Sequence, residues 1–345
     1  MAAILGLILF SFFITALLIV PAINLLYKIR LQRRDQQTRT MLNERTPIFD
    51  KYHGWKIGTP VGGGLIVMTV VAALFLFVFW FRSVAGIPNT AVFDSIKEMW
   101  ILSVTFVSFG LLGLYDDVVK TFGSKSRAFW GLRFRYKFFF QWVLAFLIAS
   151  MMYWMLGISV VNIPSFATVS LGVLFIPFAA FVIVSFANAF NITDGLDGLG
   201  TGLLLIALLA FLAISSAILD SVLSIFIGLW IGALFAFLYF NIFPARLWLG
   251  DVGTMSFGAT LAVIGLLLGK TIALGVIGGV FVIEVGSSLI QLVGKRTLGR
   301  KLLLVAPLHL FFQARGWPEP KVVMRFWLMG AIFAIFGLWT AFLTG

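Results

Sequence analysis

Residues 168–218 read TVSLGVLFIPFAAFVIVSFANAFNITDGLDGLGTGLLLIALLAFLAISSAI. Two apolar runs flank a short polar segment, and each run approaches the ~20 residues that a bilayer-crossing helix needs. The segment between them, Asn188 to Gly200, holds Asn188, Asn191, Asp194 and Asp197. Carboxylates and amides beside lipid-facing helices are costly unless they are used. This one stretch therefore predicts both an all-α membrane architecture and a functional polar face at the end of it.

The pattern repeats along the chain. Further apolar runs give candidate spans at 3–27, 60–81, 99–115, 136–156, 168–187, 200–218, 221–240, 252–269, 272–293 and 323–343, about ten transmembrane helices in a single polytopic domain over residues 1–345. The first has no basic residue before it and no small-residue cleavage site after it, so it reads as a span and not as a cleaved signal peptide. Of the 345 residues 61% are hydrophobic and only 11% charged, with a mean hydropathy of +1.08. A soluble domain carries about 25% charged residues. Cysteine is absent, which excludes disulfides, thiolate metal sites and a cysteine nucleophile.

The net charge of +12 would suit nucleic acid, but its distribution speaks for a membrane. Lys28, Arg30, Arg33, Arg34, Arg39, Arg45, Lys51 and Lys56 follow the first span, and Lys120, Lys125, Arg127, Arg133, Arg135 and Lys137 follow the third. Lys295, Arg296, Arg300, Lys301, Arg315 and Lys321 follow the ninth, and Arg246 the seventh. The alternate loops offer only Arg82, Lys97 and Lys270, and Arg325 opens the last span. An excess of Lys and Arg marks cytoplasmic loops, so this asymmetry predicts both termini on the extracytoplasmic side. The basic loops read as topology signals and anionic-lipid contacts, with no nucleic-acid partner.

Only thirteen acidic residues occur, so their grouping carries information. Asp116 and Asp117 begin the loop after the third span, Asp194 and Asp197 follow the fifth, and Asp251 follows the seventh. All five fall on the basic side. Asp116 and Lys120 are four apart and share a face on a helical turn. Asp194 and Asp197, three apart, do likewise. Adjacent Asp116 and Asp117 point about 100° apart on a helix, which suits two different tasks. A few hard oxygen ligands without a histidine cluster suit Mg²⁺ completed by water and substrate phosphate. Acids beside lysines at a membrane surface are what phosphoryl transfer requires.

Other features read two ways. Gly58-Thr59-Pro60-Val61-Gly62-Gly63-Gly64 suits close helix packing or a phosphate-facing helix start, with packing favoured. Trp248 reads as a stacking partner for a base or as an interfacial anchor. His309 is one of two histidines and reads as a proton donor, a phosphate contact or a polar loop residue. Glu284, inside the ninth span, has no partner visible in the sequence.

Several of these motifs together resemble the polyprenyl-phosphate N-acetylhexosamine-1-phosphate transferase superfamily, most closely its phospho-N-acetylmuramoyl-pentapeptide transferase branch. The motifs are His53-x-x-Lys56-x-Gly58-Thr59-Pro60 with Gly63-Gly64, Asp116-Asp117-x-x-Lys120, and Gly131-Leu132-Arg133 with Lys137 and Gln141. They continue with Asn188 to Gly198, Asn241-x-x-Pro244-Ala245, Gly250-Asp251-Val252-Gly253, Gly278-Gly279-Val280-Phe281-Val282-x-Glu284, and Gly316-Trp317-x-Glu319 with Arg325-Phe326-Trp327.

The resemblance implies a ten-helix homodimer in the bacterial inner (cytoplasmic) membrane, dependent on Mg²⁺. Its substrates would be UDP-MurNAc-pentapeptide and undecaprenyl phosphate, its products lipid I and UMP. By the same resemblance Asp251 would bind Mg²⁺, and Asp116 and Asp117 would serve the lipid phosphate and its deprotonation. Lys120 and Lys137 would contact phosphates. Asn191, Asp194 and Asp197 would bind the UDP-linked amino-sugar donor, and Asn241 and Trp248 its uridine end. Lys56, Thr59 and Asn188 would join the substrate-binding set and His309 the catalytic one. Direct attack by the lipid phosphate is the favoured route, because a phosphate oxygen is already a competent nucleophile that needs only positioning.

One departure stands out. The family's loop carries three consecutive histidines and a glutamate, whereas this chain has His309-Leu310-Phe311-Phe312-Gln313. Only the first histidine remains. The alternatives are the same chemistry with another UDP-N-acetylhexosamine, and, in a different class, a lipid-linked-sugar transporter or a degenerate scaffold. Transporters place their polar site near the bilayer midplane, whereas these acids lie on one face.

Overall fold

In hydrocarbon every backbone polar group must be satisfied within the segment, which leaves the helix as the spanning structure for runs of this kind. The computed structural model describes residues 2–32, 54–81, 90–122, 134–165 and 167–343. His53, Gly131, Leu132 and Arg133 lie outside the described residues, as do Arg33, Arg34, Arg39, Arg45, Lys51, Arg82, Lys125 and Arg127.

The helices are α1 (Ala2–Lys28), α2 (Gly63–Phe81), α3 (Ser95–Phe122), α4 (Phe134–Leu156), α5 (Phe175–Thr193), α6 (Leu199–Ala217), α7 (Ser221–Asn241), α8 (Gly250–Leu267), α9 (Thr271–Ile277), α10 (Gly279–Thr297), α11 (Leu308–Ala314) and α12 (Glu319–Phe342). Among the described residues nine are long and apolar enough to cross a membrane. The α9–α10 pair is bent by 76° and makes a tenth span if the two are counted as one. Nine of the predicted spans are thus present, and the tenth where the bent pair is counted as one. Their boundaries shift where polar residues ride on a helix end: the third span runs to 122, so Asp116, Asp117 and Lys120 sit on the last turns of α3 and not in a loop.

The expected fifth span starts too early. Residues 168–170 belong to a two-stranded antiparallel hairpin, β1 (Val160–Ile163) and β2 (Ala167–Ser170), in which Val160 faces Ser170 and Ile163 faces Ala167. The β-branched residues of β2 read as part of the apolar run because hydropathy does not separate a short strand from a helix start. The hairpin docks through Asn162 Nδ2, which donates to the Gly269 carbonyl at 3.4 Å.

α7 and α8 form the centre of the bundle, with 89% and 94% of their spanning windows buried, against 22% for α1 and 28% for α4 and α12. α8 packs on α3 and α5, and α7 on α1, α2 and α6. The centre is aromatic: Trp230 meets Phe106 and Phe257 at centroid distances of 5.2 Å, and Phe226 meets Phe106 at 5.3 Å, in edge-on contacts. Such pairs contribute about 0.5–1.5 kcal/mol beyond their buried area. Ser11 and Ser256 hydroxyls donate across helices to the Leu229 and Phe106 carbonyls, each at 2.6 Å. The outer helices expose Leu17, Trp154 and Leu328, as lipid-facing surfaces do.

Two close crossings fix the polar end. At Gly64 a Cβ would collide with the Gly253 backbone, and at Gly113 with the Asp251 carbonyl. Hydrogen therefore stands where any side chain would push α2 and α3 away from α8.

Candidate active site

Five acidic side chains gather at the end of the bundle where α3, α5 and α8 meet. Asp251 lies in the first turn of α8, where a negative charge is favoured by the helix dipole. Its Oδ2 accepts from Lys137 Nζ at 2.9 Å and from Lys120 Nζ. Asp116 Oδ2 pairs with the same two ammonium groups, at 3.0 Å each. The expected i,i+4 pairing of Asp116 with Lys120 is thus present, and Lys137, on the first turn of α4, completes it. Asn191 Nδ2 reaches in from α5 to donate to Asp251 Oδ1 at 2.9 Å and to Thr254 Oγ1 at 2.6 Å. The Lys120 side chain is 43% exposed, and those of Lys137 and Asp251 are 14% and 13% exposed. Water and solutes reach this corner.

Asp117 points elsewhere. Its Oδ2 accepts the Val252 backbone N–H at 3.1 Å, so it caps the start of α8 from a neighbouring helix and satisfies one of that helix's free donors. The resemblance gave it a share in deprotonating the lipid phosphate. In this structure its carboxylate holds the helix that carries Asp251.

Asp194 and Asp197 also diverge, because residues 194–198 form a turn and not a continued helix. The expectation that they share a face is corrected accordingly. Asp194 lies against Gly200 at the start of α6. Burial, with repulsion from Asp197 and Asp251, pushes its carboxyl up to about 7. Asp197 belongs to a second, sealed corner. Its Oδ1 accepts from Lys56 Nζ at 2.7 Å and Trp248 Nε1 at 3.2 Å, and its Oδ2 from the Ala245 N–H at 2.9 Å. Lys56 also reaches Glu319 Oε1 at 2.5 Å, and that oxygen accepts the Asp197 N–H at 2.8 Å. The side chains of Lys56 and Asp197 are each 3% exposed and that of Glu319 is 6% exposed.

Several residues expected to meet substrate are built into this frame. Asn241 is buried, accepts from Thr201 Oγ1 at 2.9 Å and donates to the Leu247 carbonyl at 3.0 Å. With both ends of its amide engaged, it braces the 242–249 segment. The Trp248 indole N–H is engaged by Asp197. Asn188 donates to Gln141 Oε1 and to the Val184 carbonyl, both at 2.8 Å. Thr59 lies in the turn that its own N–H closes on the Lys56 carbonyl at 3.3 Å. The glycine run shows why packing prevails there. The N–H groups of Gly62 and Gly63 donate to the Trp248 carbonyl and that of Gly64 to the Leu249 carbonyl, at 3.2, 2.8 and 2.8 Å. These donors are taken by protein carbonyls.

His309 is buried, and its partner is Glu284. Glu284 Oε1 accepts the His309 backbone N–H at 3.1 Å, and Oε2 meets Nδ1 at 2.9 Å. This pairing crosses from α10 to α11, and no sequence spacing announces it. The altered loop around the histidine is accommodated by packing. Leu310 is buried, Arg315 lies over the Phe311 ring at 4.6 Å, and Phe312 stacks on Trp317 at 4.7 Å. Arg325 covers Trp317 at 4.2 Å.

Among the described residues no group of three or more histidine, cysteine or acidic side chains is placed to hold a metal ion. Two carboxylates with room for water and phosphate are nevertheless a common Mg²⁺ arrangement. Asp251, the expected ligand, and Asp116, whose Oδ2 atoms share two ammonium groups, are the carboxylates here that could hold such an ion.

Comparison with known proteins adds an independent line. Residues 99–269 match the family model for glycosyl transferase family 4. The chain is 35% identical to a phospho-N-acetylmuramoyl-pentapeptide-transferase of Thermodesulfovibrio yellowstonii, over 96% of this chain and 91% of that one. It is 34% identical to relatives of the same name from Aquifex aeolicus, over 96% and 90%, and from Borreliella burgdorferi, over 95% and 92%.

Proposed function

Because the chain belongs to the phospho-N-acetylmuramoyl-pentapeptide-transferase family, we propose that it moves phospho-MurNAc-pentapeptide from UDP-MurNAc-pentapeptide to undecaprenyl phosphate. The products are lipid I and UMP. This is the first membrane step of peptidoglycan synthesis, and the setting is the bacterial inner membrane with the acidic end of the bundle facing the cytoplasm.

The observation that carries the reading is the Asp251 corner, where Asp116, Asp251, Lys120, Lys137 and Asn191 converge at a partly exposed helix end. An oxygen of the lipid phosphate attacks the donor phosphorus that bears the sugar. A new P–O–P linkage forms, the bond from that phosphorus to the bridging oxygen breaks, and UMP leaves with that oxygen. Lys120 and Lys137 are placed to exchange carboxylate contacts for phosphate contacts. Asn191 and the capped first turn of α8 keep Asp251 fixed while they do so, which is the preorganisation such chemistry needs. Asp251 with Asp116 would hold Mg²⁺, which when bound neutralises diphosphate charge. The Glu284–His309 pair and the turn carrying Asp194 flank the donor. A homodimer completes the proposal, as the family resemblance implies.

The test is UMP release by purified protein supplied with undecaprenyl phosphate, Mg²⁺ and either UDP-MurNAc-pentapeptide or UDP-N-acetylglucosamine. Release with the pentapeptide donor alone is expected, and removal of Mg²⁺ by EDTA should abolish it. Release only with the second donor would move the protein to a different donor class. Silence with both, in folded protein, would overturn the enzymatic reading.

A further inference from the structure

His309 and Glu284 form a buried acid–imidazole pair, with side chains 1% and 0% exposed. A buried polar pair needs near-complete satisfaction to be tolerated. Both carboxylate oxygens of Glu284 serve His309, one the backbone N–H and one Nδ1. An ionised carboxylate only accepts, so the ring hydrogen at that contact sits on Nδ1. The other ring edge abuts Gly195: a Cβ there would run into Nε2. Gly195 is not among the glycines with positive φ, so it is needed for room and not for an unusual backbone. It lies between Asp194, which the reading above places beside the donor, and Asp197, which anchors the sealed corner.

We propose that Glu284 and His309 are a positioning dyad: Glu284 fixes the imidazole in its Nδ1–H form, and the Nε2 edge sets the Asp194–Gly195 turn that receives the nucleotide-sugar donor. The dyad acts through the turn. That also explains why one histidine serves in this loop, since Leu310 is buried and Phe311 and Phe312 are committed to Arg315 and Trp317. The proposal rests on the functional reading above only for the identity of the donor.

With only two histidines in the chain, ¹⁵N-histidine labelling gives two imidazoles, and a His309→Gln spectrum assigns them. In resting protein His309 is expected to be protonated at Nδ1 and bare at Nε2. Glu284→Gln has one side-chain acceptor where two are needed, so it should disturb that form. The same variant should raise the donor KM about tenfold, the effect of one charge-assisted hydrogen bond. The undecaprenyl phosphate KM and kcat should stay within about twofold, since such a KM-selective loss marks binding of one substrate. Gly195→Ala, which leaves Glu284 in place, should shift the donor KM in the same direction. An Nε2–H tautomer in resting protein would overturn the proposal, as would an unchanged donor KM in Glu284→Gln. An equal fall in all kinetic parameters together with a lower unfolding temperature would reduce the pair to a structural brace. The tautomer is read without substrate or turnover, so it decides the dyad even if the transferase assay is silent.

Discussion

The two charged corners lie near one another and are made of the same residue types, yet their surroundings differ. Around Asp251 two lysines are shared between two carboxylates, and one of those lysines is 43% exposed. Around Lys56 a single ammonium is shared between Asp197 and Glu319, with every side chain 6% exposed or less. The first arrangement has one ammonium for each carboxylate and access to water, so its pairs can be traded for a ligand. The second has no slack: its atoms are used up in tying the 54–62 and 242–249 segments to α12. Burial and stoichiometry, more than residue type, separate a reactive corner from a scaffold.

The comparison can be broken most sharply at Asp251. Asp251→Asn keeps the shape and leaves both lysines with Asp116, so folding should hold while UMP release falls by about 10²–10³-fold, the scale of a lost electrostatic contact in a preorganised site. A matching loss of thermal stability would mean that the corner is scaffold too. At the sealed corner the expectation reverses. Lys56→Met leaves Asp197 and Glu319 facing each other without a cation, and breaking a buried pair in this way costs about 3–5 kcal/mol. Thermal unfolding in detergent reads the change, and an unaltered midpoint would show that the network stabilises nothing.

Asp117→Asn sharpens the division within one sequence pair. The asparagine carbonyl can still accept the Val252 N–H, so the loss in turnover should stay below about tenfold, the scale of weakening one hydrogen bond. A loss as deep as that of Asp251→Asn would restore a reacting role to the carboxylate. The smallest effect is expected at Thr201→Val, which removes one of the two bonds bracing Asn241. It should lower stability by about 1–3 kcal/mol, as for a buried acceptor left unpaired, with turnover per folded molecule unchanged.

Much of this was legible in the amino acids. Long apolar runs give the spans, and the scarcity of carboxylates isolates Asp116, Asp117, Asp194, Asp197 and Asp251 as a group. Local spacing also revealed the Asp116–Lys120 pair, because four residues are one helical turn. The failures have physical causes. Hydropathy stops at the first charges, so α3 seemed to end before Asp116 although its hydrogen bonds continue to Phe122. Residues 168–170 of β2 were absorbed into a span because Thr168, Val169 and Ser170 carry no charge to end the run. Asn241 and Trp248 look like ligand contacts by motif, and only their bonds to Thr201, Leu247 and Asp197 show that they also brace the frame. Glu284 meets His309 across 25 residues, and Lys56 meets Glu319 across 263, distances over which no periodicity operates.

That last separation bears on how the chain is made. Lys56 leaves the ribosome 263 residues before Glu319. At about 5–20 residues per second the lysine waits on the order of 10–50 s for its second carboxylate. Until Glu319 follows, Lys56 lacks one of the two carboxylates that close the sealed corner. The helix α12 is thus the clasp on the segment that carries Lys56, and the polar end is completed only once that helix has been made.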